Sequence, residues 1–310
     1  MSKKIIFMGT PIFAVPILKS LYQNGYPVSV VYTQPPQKSQ RGQKVNKSPV
    51  QNMAETLNLE FRTPTSLKDN DEEFNYLKSL EADLAIVVAY GQIIPKEFLS
   101  LTKKGFINIH ASILPKWRGA APIQRSIMNL DKETGISIMK IAEELDTGPV
   151  CNIYKIDINN DENAEEVSEK LSLLASEKIV DDIDDILEDK SKFIEQNHSD
   201  ATYASKIKKE EGKLDWNLNA KNLIGKINGL FPVPGGWFVF KGERYKILKA
   251  ELASGSGAAG EVLSDLLEIA CGDGQSVKVL EIQRQGKRAQ HIGEFVLGSQ
   301  IKAGMNLSDG

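Results

Sequence analysis

Residues 83–89, Asp-Leu-Ala-Ile-Val-Val-Ala, form a continuous apolar run of strand length. Successive side chains of a strand point to opposite faces, so such a run needs apolar cover on both sides. A central parallel strand flanked by helices meets that need. A membrane span, which takes about 18–20 apolar residues, is not approached anywhere in the chain. Shorter runs at residues 4–8, 28–32, 106–109, 136–141 and 150–156 read as further strands, interleaved with helical signals. The interleaving predicts βαβ units and a doubly wound α/β domain, whose ligands sit at the carboxyl ends of the strands. At the first strand–helix junction Thr10 reads as a helix cap with Pro11 at the first helical position. Pro16 would then fall in the second turn and kink or shorten that helix.

The texture changes after about residue 160. Residues 163–189 predict one long helix, with Val167, Leu171, Leu174, Ile179, Ile183 and Ile186 on its apolar side. Asp181, Asp182, Asp184 and Asp185 would form its solvated face. Residues 190–218 read as a polar connector. Beyond Asn219 a short helix is followed by strand candidates at 237–240, 245–250, 266–271 and 277–282, separated by glycines. This predicts a small OB-like β-barrel. For 310 residues the expected organisation is therefore a Rossmann-like domain over 1–189, a linker over 190–218 and a β module over 219–310.

A net charge of −3 argues at first against a polyanionic partner. Its distribution argues otherwise. Residues 1–156 hold 19 Lys/Arg and 14 Asp/Glu, residues 157–205 hold 4 and 15, and residues 206–310 hold 15 and 12. One acidic segment thus separates two basic ones, and the first acid in the chain is Glu55. Cys151 and Cys271 lie far apart without a partner pattern, which argues against a disulfide framework or a zinc site. The N-terminal stretch shows neither secretory nor transit character, so the expected compartment is the cytoplasm, without a membrane association.

Three histidines are present: His110, His198 and His291. His110 closes the apolar strand Phe-Ile-Asn-Ile-His, and alternation puts Asn108 and His110 on one face at its carboxyl end. Two readings compete: a hydrogen-bonded pair that caps the sheet, or an amide and an imidazole aimed at a ligand. The loop after it, Ser-Ile-Leu-Pro-Lys-Trp-Arg-Gly-Ala-Ala-Pro-Ile from Ser112, has the composition of a ligand-gripping loop. Asp146, in Leu-Asp-Thr-Gly, reads by itself as a turn former. Gly9-Thr10-Pro11 is not a dinucleotide fingerprint, and the Walker, His-Glu-x-x-His and Gly-x-Ser-x-Gly patterns are absent. The loop at 33–49 carries Lys38, Arg41, Lys44 and Lys47 and no acid, so it is either a solvated loop or a surface laid on phosphates.

Taken together, residues 108–123 followed by 145–148 resemble the methionyl-tRNA formyltransferase family of the formyl-tetrahydrofolate-dependent formyltransferases. Further matches are Gly9-Thr10-Pro11 with Phe13-Ala14, Val88-Ala89-Tyr90-Gly91, Tyr203-Ala204-Ser205-Lys206-Ile207 and Asp215-Trp216. Ala111 and Ile113 depart mildly from the family pattern. The resemblance implies formyl transfer from 10-formyltetrahydrofolate, without a metal, to the α-amino group of methionyl-initiator tRNA in translation initiation. It implies Asn108, His110 and Asp146 as the catalytic set. Ser112, Ile113, Leu114 and Pro115, with the main chain at Val88, Tyr90 and Gly91, would hold the folate. Lys38, Arg41, Lys44 and Lys47 would meet the acceptor end of the tRNA, and Lys206, Lys208, Lys209, Lys246 and Lys249 its body. A monomer in a bacterial cytoplasm is expected.

The chemistry expected of such a site is modest. An α-amino group with a pKa of ~8 supplies the nucleophile, so no strong base is needed. Asn108 would donate to the developing oxyanion, His110 would relay a proton, and Asp146 would hold the imidazole or steer a water. Two rivals remain at this point. One is an RNA-binding barrel with the α/β half as scaffold; the other is a formyltransferase for a small amine or sugar, or a formyl-folate hydrolase.

Overall fold

The computed structural model describes residues 3–38 and 45–308, with Lys38 and Val45 described by backbone alone. Two compact units emerge. The first contains residues 1–119, 135–156 and 168–203; the second contains 120–134, 157–167 and 204–310.

The first unit is organised by a seven-stranded sheet. Its strands are β1 (Ile5–Gly9), β2 (Val28–Tyr32), β3 (Phe61–Arg62), β4 (Leu84–Val88), β5 (Phe106–His110), β6 (Glu133–Lys140) and β7 (Val150–Asp157), in the order β7-β6-β5-β4-β1-β2-β3. β4 pairs in parallel with both β1 and β5, and every residue of β1 and β4 is buried. The apolar run thus occupies the doubly covered central position that its composition requires. One face of the sheet carries Ile6, Met8, Tyr32, Leu77 and Phe98 in a common core. Helices α1 (Val15–Gln23), α2 (Pro49–Thr56), α3 (Asp71–Ser79) and α5 (Ala164–Leu187) lie between or after its strands, and Ser20 Oγ of α1 donates to the Ser176 carbonyl of α5 at 2.7 Å. β6 runs antiparallel to β5, placing Ser137 opposite His110.

Three local expectations are corrected. Thr10 caps no helix: its hydroxyl donates to the Tyr90 carbonyl at 2.7 Å, and Pro11 precedes a single 3-10 turn, Ile12–Ala14. Pro16 then lies in the first turn of α1 and produces no kink, because a proline there lacks only an N–H that has no partner in the helix anyway. Asp182 is 8% exposed rather than solvated, and accepts from the Tyr154 hydroxyl at 2.9 and 3.0 Å. A strand side chain reaching the helix captured it, which helical periodicity cannot foresee.

The second unit contains an antiparallel, curled sheet of β8 (Gly236–Phe240), β9 (Glu243–Ala253), β10 (Val262–Ser264), β11 (Glu268–Ala270), β12 (Ser276–Arg284) and β13 (Ala289–His291). Register shifts in β9 opposite β12 bend it, as bulges do in small OB-like barrels. The helix α6 (Ala220–Leu230) is capped by Asn219, whose side chain accepts from the Asn222 amide. Phe238 stacks on Tyr245 at 5.4 Å, and Trp216 and Phe295 approach edge-on, so four aromatic rings anchor the core. Gly225 and Gly229 let α6 approach α4 (Pro122–Met128) closely. A Cβ at Gly229 would stand 2.8 Å from the Gln124 carbonyl. The strands β10 and β13 and the last helix α7 (Ile292–Gly298) were not foreseen; they are too short to show a period.

Burial raises the thiols of Cys151 and Cys271 to about 11, with Asp182 and Asp273 adding to the effect. At pH 7.5 the thiolate fraction is then on the order of 1 in 10³. Iodoacetamide at that pH is expected to leave both cysteines of the native protein unmodified and to label both after unfolding, read by mass spectrometry.

Candidate active site

The carboxyl ends of β4 and β5 lie side by side, with Val87 opposite Asn108. On the far side of β5, Asn108 faces Met139 and His110 faces Ser137. The chain leaving β6 returns as residues 141–149 and brings Asp146 over this end of β5. The Asp146 backbone sits at φ 54°, the left-handed region that Asp tolerates better than most residues. Its carboxylate gathers three groups. Asn108 Nδ2 donates to Oδ1 at 3.4 Å, the Gly119 amide donates to Oδ2 at 2.9 Å, and His110 Nδ1 lies 3.6 Å from Oδ2. The side chains of His110 and Asp146 are 7% and 9% exposed.

The other ring nitrogen settles which proton can move. His110 Nε2 is 3.0 Å from the Trp117 carbonyl oxygen. A carbonyl only accepts, so Nε2 carries a hydrogen, and Nδ1 is the position that gains or loses a proton on the Asp146 side. Protonation there places a cation against the carboxylate. The site therefore offers a side-chain amide, a proton-exchanging nitrogen and a fixed negative charge within one buried cluster. The loop that supplies the Trp117 carbonyl and the Gly119 amide is itself shaped by Trp117 at φ 61° and Gly119 at φ 120°.

The residues expected to hold a folate divide into two groups. Ser112 and Leu114 are buried, and the Ser112 hydroxyl donates to the Lys116 carbonyl at 2.6 Å, so it belongs to the loop's own bonding. Ile113 and Pro115 are partly exposed. After β4, the Tyr90 ring is buried, while Ala89 (φ 45°) and Gly91 (φ 79°) are exposed with their main chain turned outward. That turn is pinned by Thr10 on the Tyr90 carbonyl and by Gln34 Nε2 on the Gly91 carbonyl at 2.8 Å. A Cβ on Gly91 would lie 2.3 Å from Gln34 Nε2. The exposed residues of this pinned turn after β4, and the partly exposed Ile113 and Pro115 in the loop after the neighbouring β5, are compatible with a flat, partly aromatic ligand. Val88 is fully buried, main chain included.

The basic residues are placed less uniformly. Arg41 and Lys44, and the side chain of Lys38, lie outside the described residues. Lys47 pairs with Glu55 at 2.8 Å, so the loop's want of acids did not leave it unpaired. In the second unit Lys206, Lys208, Lys209 and Lys249 are exposed. Lys246 is partly buried: its ammonium donates to the Pro232 carbonyl, and burial, then Arg244, lowers its pKa.

Ser137 is a residue that sequence reading missed. It is buried within an apolar strand; its hydroxyl donates to the Ser112 carbonyl at 2.7 Å and accepts from the Leu114 amide at 3.1 Å. A lone serine amid Ile136, Ile138 and Met139 was the available signal. Gln196, which bonds the Asp146 turn, lies in a polar stretch and gave none. Among the described residues no group of three or more His, Cys, Asp or Glu is arranged to hold a metal ion, and no helix is long and apolar enough to cross a membrane.

Comparison with known proteins matches residues 3–183 to the family model described as formyl transferase, and residues 206–300 to that of the formyl transferase C-terminal domain. The methionyl-tRNA formyltransferase of Pelagibacter ubique (strain HTCC1062) is 67% identical over 309 residues, covering the whole of both chains. That of Chelativorans sp. (strain BNC1) is 43% identical, covering 99% of this chain and all of the relative. Among solved structures, the sugar 3N-formyl transferase WlaRD, crystallised with dTDP and 5-N-formyl-THF, superposes with a TM-score of 0.68 at 19% identity, covering 93% of this chain and all of that one. HypX from Aquifex aeolicus in complex with tetrahydrofolic acid gives 0.62 at 17%, covering 96% of this chain and 47% of that one.

The Ser137 hydroxyl bonds two buried main-chain groups of the 111–119 loop. Ser137→Ala leaves both unpaired and is expected to lower unfolding free energy by about 1–3 kcal/mol, measured by urea titration.

Proposed function

The chain belongs to the formyl transferase family through both of its matched regions, and from that premise we propose how its candidate site performs the reaction. The enzyme transfers the formyl group of 10-formyltetrahydrofolate to the α-amino group of methionyl-initiator tRNA, the activity named for its full-length relatives. The observation that carries the assignment of residues is the convergence of Asn108, His110 and the Gly119 amide on the buried Asp146 carboxylate. An OB-like RNA-binding protein would have no use for that cluster at a strand end. Similarity along the entire length to tRNA formylases favours tRNA over a sugar as the acceptor.

The folate supplies an activated formyl carbon. The substrate amine forms the new C–N bond as the bond from that carbon to the folate nitrogen breaks, and one proton passes from the amine to that nitrogen. Asn108, the one residue of β5 that is not buried, donates its second amide hydrogen to the formyl oxygen as negative charge grows there. His110 exchanges the moving proton at Nδ1, with Nε2–H held by the Trp117 carbonyl. Asp146 keeps the imidazole turned and stabilises its cationic form. The pinned turn 88–91 and Ile113 and Pro115 position the folate ring. The working unit in this reading is a monomer acting in the cytoplasm. Residues 1–189 hold the chemistry, and the tRNA body is held by Lys206, Lys208 and Lys209 of the joining segment 190–218 and by Lys246 and Lys249 of residues 219–310. The loop carrying Lys38, Arg41, Lys44 and Lys47 meets the acceptor end.

Formyl transfer from 10-formyltetrahydrofolate to charged initiator tRNA tests the reading, with small amines and water as alternative acceptors. Asn108→Ala is expected to lower kcat by about 10²–10³-fold; His110→Ala and Asp146→Ala are expected to slow turnover while tRNA binding persists. Near-normal turnover in all three would sink the assignment. Arg41→Ala is expected to raise KM for tRNA at least tenfold with little change for folate. Equal losses for both substrates would refute that division.

A further inference from the structure

Asp146 is placed by a turn, and that turn is held by groups outside the catalytic set. Both hydrogens of one amide grip it: Gln196 Nε2 donates to the Asp146 carbonyl at 2.9 Å and to the Gly148 carbonyl at 2.7 Å. The other end of the same amide is fixed as well. Gln196 Oε1 accepts from Arg118 Nε at 3.1 Å and from Arg118 NH2 at 2.7 Å. A guanidinium has donors only, so the amide has one orientation; turned over, its NH₂ would face those donors. Arg118 is 2% exposed, and its remaining donors point at His198 Nδ1, 3.3 Å away. A buried arginine whose partners here are an amide oxygen and an imidazole nitrogen is costly to maintain, and calls for an explanation.

The arrangement closes on itself. Gly119, the residue after Arg118, donates the amide that holds the Asp146 carboxylate. The segment 118–119 therefore fixes the catalytic side chain directly and its main chain through Gln196. We propose that Gln196 is a positioning residue for Asp146, oriented by the buried guanidinium of Arg118. This rests on the catalytic reading of Asp146 and extends it to two residues that do not touch the reacting groups. At Gly148, where a Cβ would lie 2.0 Å from the Lys140 carbonyl, the turn packs backbone against backbone.

Gln196→Glu separates positioning from mere support. The new carboxylate keeps both Arg118 bonds, so the fold is retained, but it offers lone pairs where the two carbonyls need donors. The turn is pushed away from His110. The expected result is a Tm within a few degrees of wild type and KM values for both substrates within about threefold. With them comes a kcat lower by about 10–100-fold, the scale of an ångström-sized misplacement. Its pH–kcat profile moves toward that of Asp146→Asn. If the Glu variant does not fold, the paired replacement Gln196→Met with Arg118→Met, which removes the donors together with the guanidinium that Oε1 answers, is read the same way. A wild-type kcat and pH profile in a folded Gln196 variant, alongside a slow Asp146→Asn, overturns the positioning role and leaves the reading of Asp146 standing. A wild-type rate in Asp146→Asn overturns both.

Discussion

A buried carboxylate that accepts hydrogen bonds is what the carboxyl end of β5 is arranged around. Asp146 draws together an amide from β5, a main-chain N–H from the loop after it and the Nδ1 edge of His110. With so little water present, each of these contacts is stronger than it would be on the surface, and each unpaired group would cost more. The loop conformation at Trp117 and Gly119 follows from the same demand, since only that path delivers the Gly119 amide to one oxygen while turning the Trp117 carbonyl to the far nitrogen of the imidazole.

The sheet makes such placement reproducible. β4 and β5 lie between covered faces, and their carboxyl ends are held in register, so the turns that follow them start from fixed points. Those turns are then pinned by single polar side chains: Thr10 and Gln34 on the turn after β4, and Ser137 on the loop after β5. Rigid elements carry the site, and short loops aim it. In the second unit a different device does comparable work, with two glycines on α6 allowing close helix contact and a group of aromatic rings filling the curled sheet.

Much of this could be read from residues alone. The run at 83–89 specified its own two-sided burial, and alternation along β5 put Asn108 and His110 on one face; both hold, because they depend on neighbours within one strand. The helix at 163–189 and the short helix after Asn219 hold for the same reason. The misreadings share the opposite cause. Thr10 was read as a cap but bonds a residue 80 positions away, Asp182 was read as solvated but bonds one 28 positions away, and Lys47 lies in an acid-free loop yet pairs with Glu55 in the following helix. Each side chain chose a partner that folding supplied.

The sequence by itself determined the fold class and which polar residues share the carboxyl end of β5, since hydrophobic period and local stereochemistry act over a few residues. It also carried the pattern by which the family is known. Only the tertiary structure decided which nitrogen of His110 is free to exchange a proton, that Ser112 belongs to its own loop's bonding, and that Gln196 and Arg118 stand behind Asp146. The first two turn on the conformation of the loop at 112–117, and the last on hydrogen bonds between residues 50 and 78 positions apart. Such geometry exists only once the chain has packed and water has been excluded from between them.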